Sequence, residues 1–139
     1  MSSSEEAPKC LMCKGKLYQH REFGNEEELE NLVRENASLL FGEHAIYFPV
    51  KKRLESRYKM RVTDGLLLDL GDEPKFWIVE IELSRHDMEQ EVEPQIRGFL
   101  RVLDDEQSIS QILEIVYEEI QSNSEVKRRI RERVGPDAD

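Results

Sequence analysis

The sequence predicts an α+β fold, and three stretches of the chain carry this prediction. Residues 25–41 repeat apolar side chains at helical spacing, and residues 44–83 are rich in aromatic and β-branched residues. Residues 88–134 return to helical spacing. A block of strands between blocks of helices is typical of a sheet that packs against helices. No internal repeat is visible, and a length of 139 residues suits one compact domain.

The first predicted helix begins at Asn25 and ends near Gly42. Asn is a favoured N-cap residue, and Glu28 three positions later completes the pattern of a capping box. Apolar residues such as Leu29 and Val33 then recur at the spacing of one helical face. Gly42 is expected to end the helix, because glycine is favoured just after the last helical turn.

Four strands are predicted after this helix, at 44–50, 52–63, 65–70 and 75–83. The segment 71–74, Gly-Asp-Glu-Pro, has the residues of a tight turn. We therefore expect the last two strands to form a hairpin.

Three more helices are predicted, at about 88–103, 108–122 and 124–134. Gly135 is expected to end the last of them. The sequence therefore predicts helices on both sides of the strand block along the chain.

The chain divides into three parts. Residues 1–22 form a tail or small appendage with a CxxC pattern, 23–134 form a single domain, and 135–139 form an acidic tail. No apolar run is long enough to span a bilayer, and the polar, acidic N-terminus lacks the features of a secretory signal. We expect a cytoplasmic protein without a membrane partner.

Three carboxylates are predicted to meet at one end of the hairpin. Asp64 precedes the strand 65–70, and Glu80 and Glu82 share one face of the strand 75–83 because side chains alternate. Antiparallel pairing would bring Asp64 opposite the far end of the second strand. Buried like charges need a positive partner, and oxygen ligands favour Mg²⁺ or Mn²⁺. The alternative is that both glutamates occupy the solvent face of a half-buried strand.

This order of residues resembles the PD-(D/E)xK nuclease superfamily, whose members share the restriction-endonuclease-like fold. The family pattern is a helix with a Glu, a hairpin with Asp and (Asp/Glu)-x-Lys, and a second helix. Asp64 and the segment Glu80-Ile81-Glu82 match the hairpin part, and the resemblance covers residues 24–103. It implies an α/β/α sandwich in which helices flank a central mixed sheet, and therefore a nuclease-like domain.

The resemblance also implies roles for individual residues. Asp64 and Glu80 would bind Mg²⁺ or Mn²⁺, and the main-chain carbonyl of Ile81 would complete the metal shell. Glu26, in a Glu-x-x-Leu pattern, would be the catalytic glutamate of the first helix, with Glu30 as the competing assignment. An acid in the first turn of a helix is also favoured without any function.

Glu82 stands where the family has its catalytic lysine. A carboxylate cannot supply the positive charge of a lysine, but it could orient the attacking water. A lysine that has migrated to another position is the alternative, and Lys59 is the leading candidate. Thr63 also replaces the Pro of the family pattern, which is a tolerated variation.

The basic residues are concentrated in two segments, 51–61 and 127–133, although the formal net charge is -10. The first segment lies beside the predicted carboxylates, where a phosphate backbone would approach. The predicted DNA contacts are Lys51, Lys52, Arg53, Lys59, Arg61 and, at the position of a family glutamine, Gln95. The alternative is that these basic side chains are simply exposed to solvent and offset the negative charge of neighbouring acids.

Cys10 and Cys13 have the spacing of a zinc knuckle. Tetrahedral zinc needs four ligands, and the sequence contains no second pair of cysteines. His20 and His44, or a second chain, would have to complete the set. Two free thiols are therefore the favoured interpretation, with zinc as the alternative.

Two hypotheses from different classes follow. The first is a Mg²⁺- or Mn²⁺-dependent DNA endonuclease or exonuclease, with a homodimer as one arrangement. The second is a catalytically inactive nuclease-fold module that binds nucleic acid or a protein partner. The replacement of the family lysine by Glu82 and the overall acidity motivate the second hypothesis.

Overall fold

The computed structural model describes residues 10–60, 63–84 and 88–135, without the side chains of residues 91 and 92. Along these ranges a small hairpin comes first, then two helices, a sheet interrupted by a third helix, and three C-terminal helices. None of the described helices combines the length and the apolar character that crossing a membrane requires.

The predicted α+β class is confirmed. The strands are β1 (Cys10–Cys13), β2 (Lys16–Gln19), β3 (Ala45–Phe48), β4 (Gly65–Asp69) and β5 (Lys75–Val79). The helices are α1 (Glu26–Glu35), α2 (Ala37–Phe41), α3 (Lys51–Tyr58), α4 (Glu93–Leu103), α5 (Glu106–Ser122) and α6 (Ser124–Val134), and a π-helical turn, Met88–Val92, precedes α4.

Side-chain caps fix where three of the helices begin. The Asn25 side chain accepts a hydrogen bond from the main-chain N–H of Glu28 at 2.9 Å, and the Glu28 carboxylate accepts one from Gly24 N–H. The predicted start of α1 is therefore confirmed. Asp105 and Asn123 cap α5 and α6 in the same way, which satisfies N–H groups that have no partner within the helix.

The described sheet has the order β3-β4-β5, and both pairings are antiparallel. The register of β4 and β5 runs from Gly65 opposite Val79 to Asp69 opposite Lys75. This confirms the predicted hairpin and its turn. The described residues contain no parallel pairing, so they do not show the central mixed sheet that the family resemblance implies.

The predicted strand at 52–63 is wrong, because this part of the chain begins with α3. Val50, Leu54 and Tyr58 are each four residues apart and therefore share one helical face. Leu54 is completely buried on this face, and Val50 belongs to the same core cluster. The helix ends at Tyr58, and the next residue, Lys59, caps it in a left-handed backbone conformation with φ 51°.

The predicted strand at 75–83 is shorter in the structure and ends at Val79. Glu80 and Glu82 therefore follow β5 and are not part of it. The middle of β5 is exposed on both faces, although its composition suggested a largely buried strand.

The main core lies between one face of the sheet and the helices α3, α4 and α5. Its buried members are Ile46, Phe48, Val50, Leu54, Leu66, Leu68, Leu70, Phe99, Ile112, Ile115 and Val116. Ala45 and Leu67 alternate with these sheet residues, so they lie on the opposite face, and both are buried. Burial on two faces holds β3 and β4 firmly in place.

Two arginines of α6, both in the second basic segment, donate hydrogen bonds to main-chain carbonyls at the start of β3 and after the end of β4. Arg129 donates to the carbonyl oxygens of Glu43 and Ala45 at 2.8 and 2.9 Å. Arg133 donates to those of Leu70 and Gly71 at 2.8 and 2.7 Å. These two guanidinium groups therefore have a structural role.

The predicted N-terminal appendage contains an exposed hairpin of β1 and β2. Lys14 and Gly15 form its turn, and both have a positive φ. Cys10 and Cys13 are free and exposed. Because they are three residues apart in one strand, their side chains point to opposite faces of the hairpin. This register does not favour a shared zinc ion.

Candidate active site

Asp64 is the buried centre of a polar cluster at the end of the β4–β5 hairpin. Its side chain is only 8% exposed, and both carboxylate oxygens accept hydrogen bonds. Lys51 Nζ donates to Oδ1 at 3.0 Å, and the main-chain N–H of Ile81 donates to Oδ2 at 2.7 Å. The second bond continues the connection between the two strands beyond their last pair, so the fold itself fixes this carboxylate.

Glu80 lies beside Asp64, as the hairpin register predicts. Burial raises the pKa of Glu80 to about 7. A hydrogen bond with Thr63 lowers this pKa, and the charge of Asp64 raises it again. Thr63 itself is buried and donates to the main-chain carbonyl of Val79 at 2.7 Å. The two strand ends therefore hold two carboxylates close together.

Glu30 and Lys51 enter the cluster from two helices. Lys51 is the first residue of α3, and its Nζ lies 3.5 Å from Glu30 Oε1 and 3.0 Å from Asp64 Oδ1. Burial and the charge of Asp64 raise the pKa of Glu30, although Lys51 opposes the shift. Burial lowers the pKa of Lys51, but its bonds to the two acids outweigh this and raise it. Lys51 is therefore a charged bridge between the two carboxylates.

Tyr47 of β3 covers the cluster from the sheet. A Cβ atom at Gly65 would come closer than 3.0 Å to the Tyr47 ring and hydroxyl, so the ring lies directly over this glycine. Burial raises the pKa of Tyr47, and the charges of Asp64 and Glu30 raise it further. The phenol is therefore neutral over the ordinary pH range.

The structure favours Glu30 over Glu26 as the helix glutamate of this cluster. Glu30 contacts Lys51 and interacts with Asp64. Glu26 lies four residues earlier, on the same face of α1, one turn away. The family motif implied Glu26, whereas the fold brings Glu30 to Asp64.

Glu82 lines a neighbouring cavity of about 390 Å³ between the start of α1 and the segment after β5. The other residues of its wall are His20, Arg21, Glu22, Phe23, Leu29, Leu83 and Ser84. The role of Glu82 in orienting water stays a prediction.

Lys51 and Lys59 occupy different places from those that the sequence suggested. Lys59 is an exposed residue at the end of α3, whereas Lys51 contacts Asp64. The sequence predicts that Lys51 binds phosphate. Its contact with Asp64 was not predicted, because a strand was expected over 52–63 where the structure has α3. The four-residue spacing of Val50, Leu54 and Tyr58 was the signal for a helix.

Two of the other predicted DNA contacts, Lys52 and Arg53, differ in whether acidic side chains of α5 pair with them. Arg53 pairs with Glu118 and Glu119 of α5 at 2.7 and 2.9 Å, and Arg57 also pairs with Glu118. The Lys52 side chain is 83% exposed. Much of the positive charge of α3 is thus neutralised by α5.

Two predicted DNA contacts remain. Gln95 is exposed on α4, and Arg61 lies outside the described residues.

Within the described ranges, the cluster contains more acidic than basic groups. Three carboxylates, those of Glu30, Asp64 and Glu80, share the ammonium group of Lys51. Among the described side chains, no set of three acids, histidines or cysteines is already arranged as a metal site. The donors are nevertheless hard oxygens of the kind that Mg²⁺ and Mn²⁺ prefer. Burial and then the charge of Asp64 raise the pKa of Glu80, and a cation beside this carboxyl group would favour its ionised form. These residues therefore fit a divalent cation chemically.

Comparisons with known proteins found no matching family model, no similar curated protein and no similar solved structure. The functional argument accordingly depends on the geometry and the electrostatics of the cluster.

Proposed function

We propose that this protein is a metal-dependent nuclease that hydrolyses DNA phosphodiester bonds at the cluster of Asp64 and Glu80, within a restriction-endonuclease-like core. The main support is the charge of the cluster in the part of the chain that the structure describes, where three carboxylates meet at the end of one hairpin and share one lysine. Burying like charges costs free energy unless a cation compensates for them. A protein that keeps such a group is expected to use it to bind a cation.

Asp64 and Glu80 would hold Mg²⁺ or Mn²⁺, with Glu30 close enough to provide a further oxygen. The ion would supply Lewis-acid polarisation of the phosphate and would make a bound water more acidic. Main-chain positions limit the movement of both acids, because Ile81 N–H holds Asp64 and Glu80 follows the last residue of β5. The main chain therefore restrains both of the proposed ligands.

Lys51 would provide the positive charge that the sequence pattern lacks at Glu82. Its ammonium group lies beside Asp64, and the raised pKa of Lys51 keeps it protonated at neutral pH. In hydrolysis, water attacks phosphorus, the P–O bond to the leaving oxygen breaks, and negative charge grows on the phosphate oxygens. An ammonium group next to the site can stabilise this charge. Glu82 remains the candidate for orienting the water.

DNA is the proposed substrate because α3, whose first residue contacts Asp64, has an exposed lysine at each end. Lys52 follows Lys51 on α3, and its side chain is mostly in solvent. Lys59 is exposed at the other end of the same helix. Lysines in such positions can contact backbone phosphates without reading the sequence.

A cleavage assay tests this proposal. The full chain would be incubated with single-stranded, duplex and branched DNA in Mg²⁺ and in Mn²⁺, beside Asp64→Asn and the control Asp72→Asn. Asp72 lies exposed in the β4–β5 turn. We expect cleavage by the wild type and the control and none by Asp64→Asn. Equal cleavage by all three proteins would refute the proposed site.

The inactive binding module remains the second candidate, and one observation favours it. Lys51 already bridges Glu30 and Asp64, so part of the cluster is compensated without a metal ion. DNA binding without Mn²⁺ binding and without cleavage would support this candidate over the nuclease.

A further inference from the structure

The two edges of the three-stranded sheet differ. At the β3 edge, the carbonyl of Ala45 accepts from Arg129, and its N–H donates to the carbonyl of Gly42. At the other edge, β5 pairs with β4 and with no other strand in the parts of the chain that the structure describes. The β3 edge is therefore protected at Ala45, whereas no strand covers the β5 edge in the described residues.

The outward groups of β5 follow from the register. Leu70 N–H donates to His44 O, and alternation along the two pairings then directs the main-chain groups of Lys75, Trp77 and Val79 toward β4. The N–H and C=O groups of Phe76 and Ile78 consequently point away from the sheet. Another strand could therefore form hydrogen bonds with these four main-chain groups.

The side chains of β5 are unusually apolar for an open edge. Phe76, Trp77 and Ile78 are 52%, 53% and 38% exposed, and alternation places them on both faces of the strand. Natural edge strands are normally protected by charges, proline or a bulge. The centre of β5 has none of these features, since Lys75 at its start is the one charged residue among five.

We propose that β5 is the dimerisation strand of this protein and pairs antiparallel with β5 of a second copy. With Trp77 on the two-fold axis, Phe76 would lie opposite Ile78 of the partner subunit and exchange both main-chain hydrogen bonds with it. The two three-stranded sheets would then form one sheet of six strands. The proposal does not depend on nuclease activity.

The sequence of β5 supports a second copy as the occupant. Lys75 is the one charged residue of the strand. An antiparallel pair places the two copies of Lys75 at opposite ends of the interface, whereas a parallel pair in register would place these like charges together. The apolar centre is complementary to itself, because Trp77 meets Trp77 and Phe76 meets Ile78. A small interface of this kind is expected to be weak and dependent on concentration.

Sedimentation velocity on the full chain tests the association. We expect the wild type to shift from monomer toward dimer between about 1 and 200 μM. Trp77→Lys should remain monomeric, because it brings two ammonium groups together on the axis. The matched control is Tyr117→Lys, which changes an equally exposed aromatic residue of α5 and should still dimerise. Trp77 is the single tryptophan of the chain, so its fluorescence should shift to the blue as the dimer forms.

Cross-linking tests the register. In a chain with Cys10→Ser and Cys13→Ser, Trp77→Cys should form a disulfide-linked dimer under mild oxidation, because residues opposite each other on the axis have Cβ atoms about 4.5–5.5 Å apart. Lys75→Cys should not, since the two copies of residue 75 would be roughly 13 Å apart. A wild type that stays monomeric at about 200 μM, or a dimer that Trp77→Lys leaves intact, would overturn the proposal. If the protein dimerised only after removal of residues 1–9, that segment would be the partner of the β5 edge, and the dimer proposal would also be overturned.

Discussion

Lys51 Nζ lies 3.0 Å from Asp64 Oδ1, and this contact joins α3 to the end of the β4–β5 hairpin. The same ammonium group reaches Glu30 on α1. One side chain therefore links three elements that are far apart in the sequence. It also occupies a position in which it would compete with a divalent cation for the same oxygens.

Replacing Lys51 with methionine separates its structural and catalytic roles. We expect the metal-free protein to lose about 1–3 kcal/mol of stability, because Asp64 loses a charged hydrogen-bond partner. We expect Mn²⁺ affinity to rise, since the competing charge is gone, and DNA cleavage to fall. Urea denaturation, Mn²⁺ titration and the cleavage assay measure these three effects.

Lys16→Met is the control, because Lys16 is an exposed lysine of the N-terminal hairpin and has no part in the proposed site. It should leave all three quantities nearly unchanged. If Lys59→Met reduced cleavage and Lys51→Met did not, the assignment of the positive charge to Lys51 would be wrong.

Gly65 is required by the position of the Tyr47 ring. Gly65→Ala would introduce a Cβ atom into this ring, and we expect a loss of about 1–3 kcal/mol in the free energy of unfolding. The same substitution should cost much less in a Tyr47→Ala background, because the obstructing ring is absent. A double-mutant cycle by urea denaturation measures the difference. Equal costs in both backgrounds would contradict the described packing.

The two neighbouring basic residues of α3 should respond differently to substitution. Lys52→Ala should weaken DNA binding and reduce the slope of log K against log salt by about 1, as expected for the loss of one phosphate contact. Arg53→Ala should mainly lower stability, by roughly 0.5–1 kcal/mol, because Arg53 pairs with Glu118 and Glu119. Salt-dependent DNA titrations and urea denaturation distinguish these outcomes. A larger salt-slope change for Arg53→Ala than for Lys52→Ala would argue against this division.

The raised pKa of Glu80 predicts a specific dependence of stability on pH. In the native protein Glu80 keeps its proton up to about pH 7, whereas its ordinary pKa is 4.5. Between these values the native state binds more protons than the unfolded state, so the free energy of unfolding should fall as pH rises. Urea midpoints at several pH values in the presence of a chelator measure this contribution.

Glu80→Gln should remove this contribution, and Glu73→Gln in the exposed turn should retain it. Mn²⁺ affinity should rise with pH over the same window, because metal binding requires the ionised carboxylate. An identical pH dependence of stability in Glu80→Gln and wild type would show that Glu80 is not the group responsible.

The hairpin and most helices could be predicted from the sequence because local signals specify them. The turn residues 71–74, the cap at Asn25 and the stop at Gly135 are such signals, and the approach of Asp64 to Glu80 follows from the hairpin register. Helix α3 was missed because its sequence is highly charged and shows only Leu54 and Tyr58 as large apolar residues. Its helical face becomes evident from the burial of Leu54 in the core.

The contacts of Lys51 depend on how three distant elements pack, and no short motif encodes that packing. For the same reason, the choice between Glu26 and Glu30 could not be made from spacing, since both lie on one face of α1. The structure favours Glu30 because α1 and α3 bring its carboxylate to Lys51.

Titration of the metal-free protein with Mn²⁺, followed by calorimetry or electron paramagnetic resonance, is the most direct test of the proposed metal site. We expect a bound ion in the wild type and in Asp72→Asn, and severely weakened binding in Asp64→Asn and Glu80→Gln. Folding of each variant would be verified by its urea transition. A wild type that binds no Mn²⁺, or an Asp64→Asn variant that binds it as tightly as the wild type, would contradict the claim that Asp64 and Glu80 form a metal site.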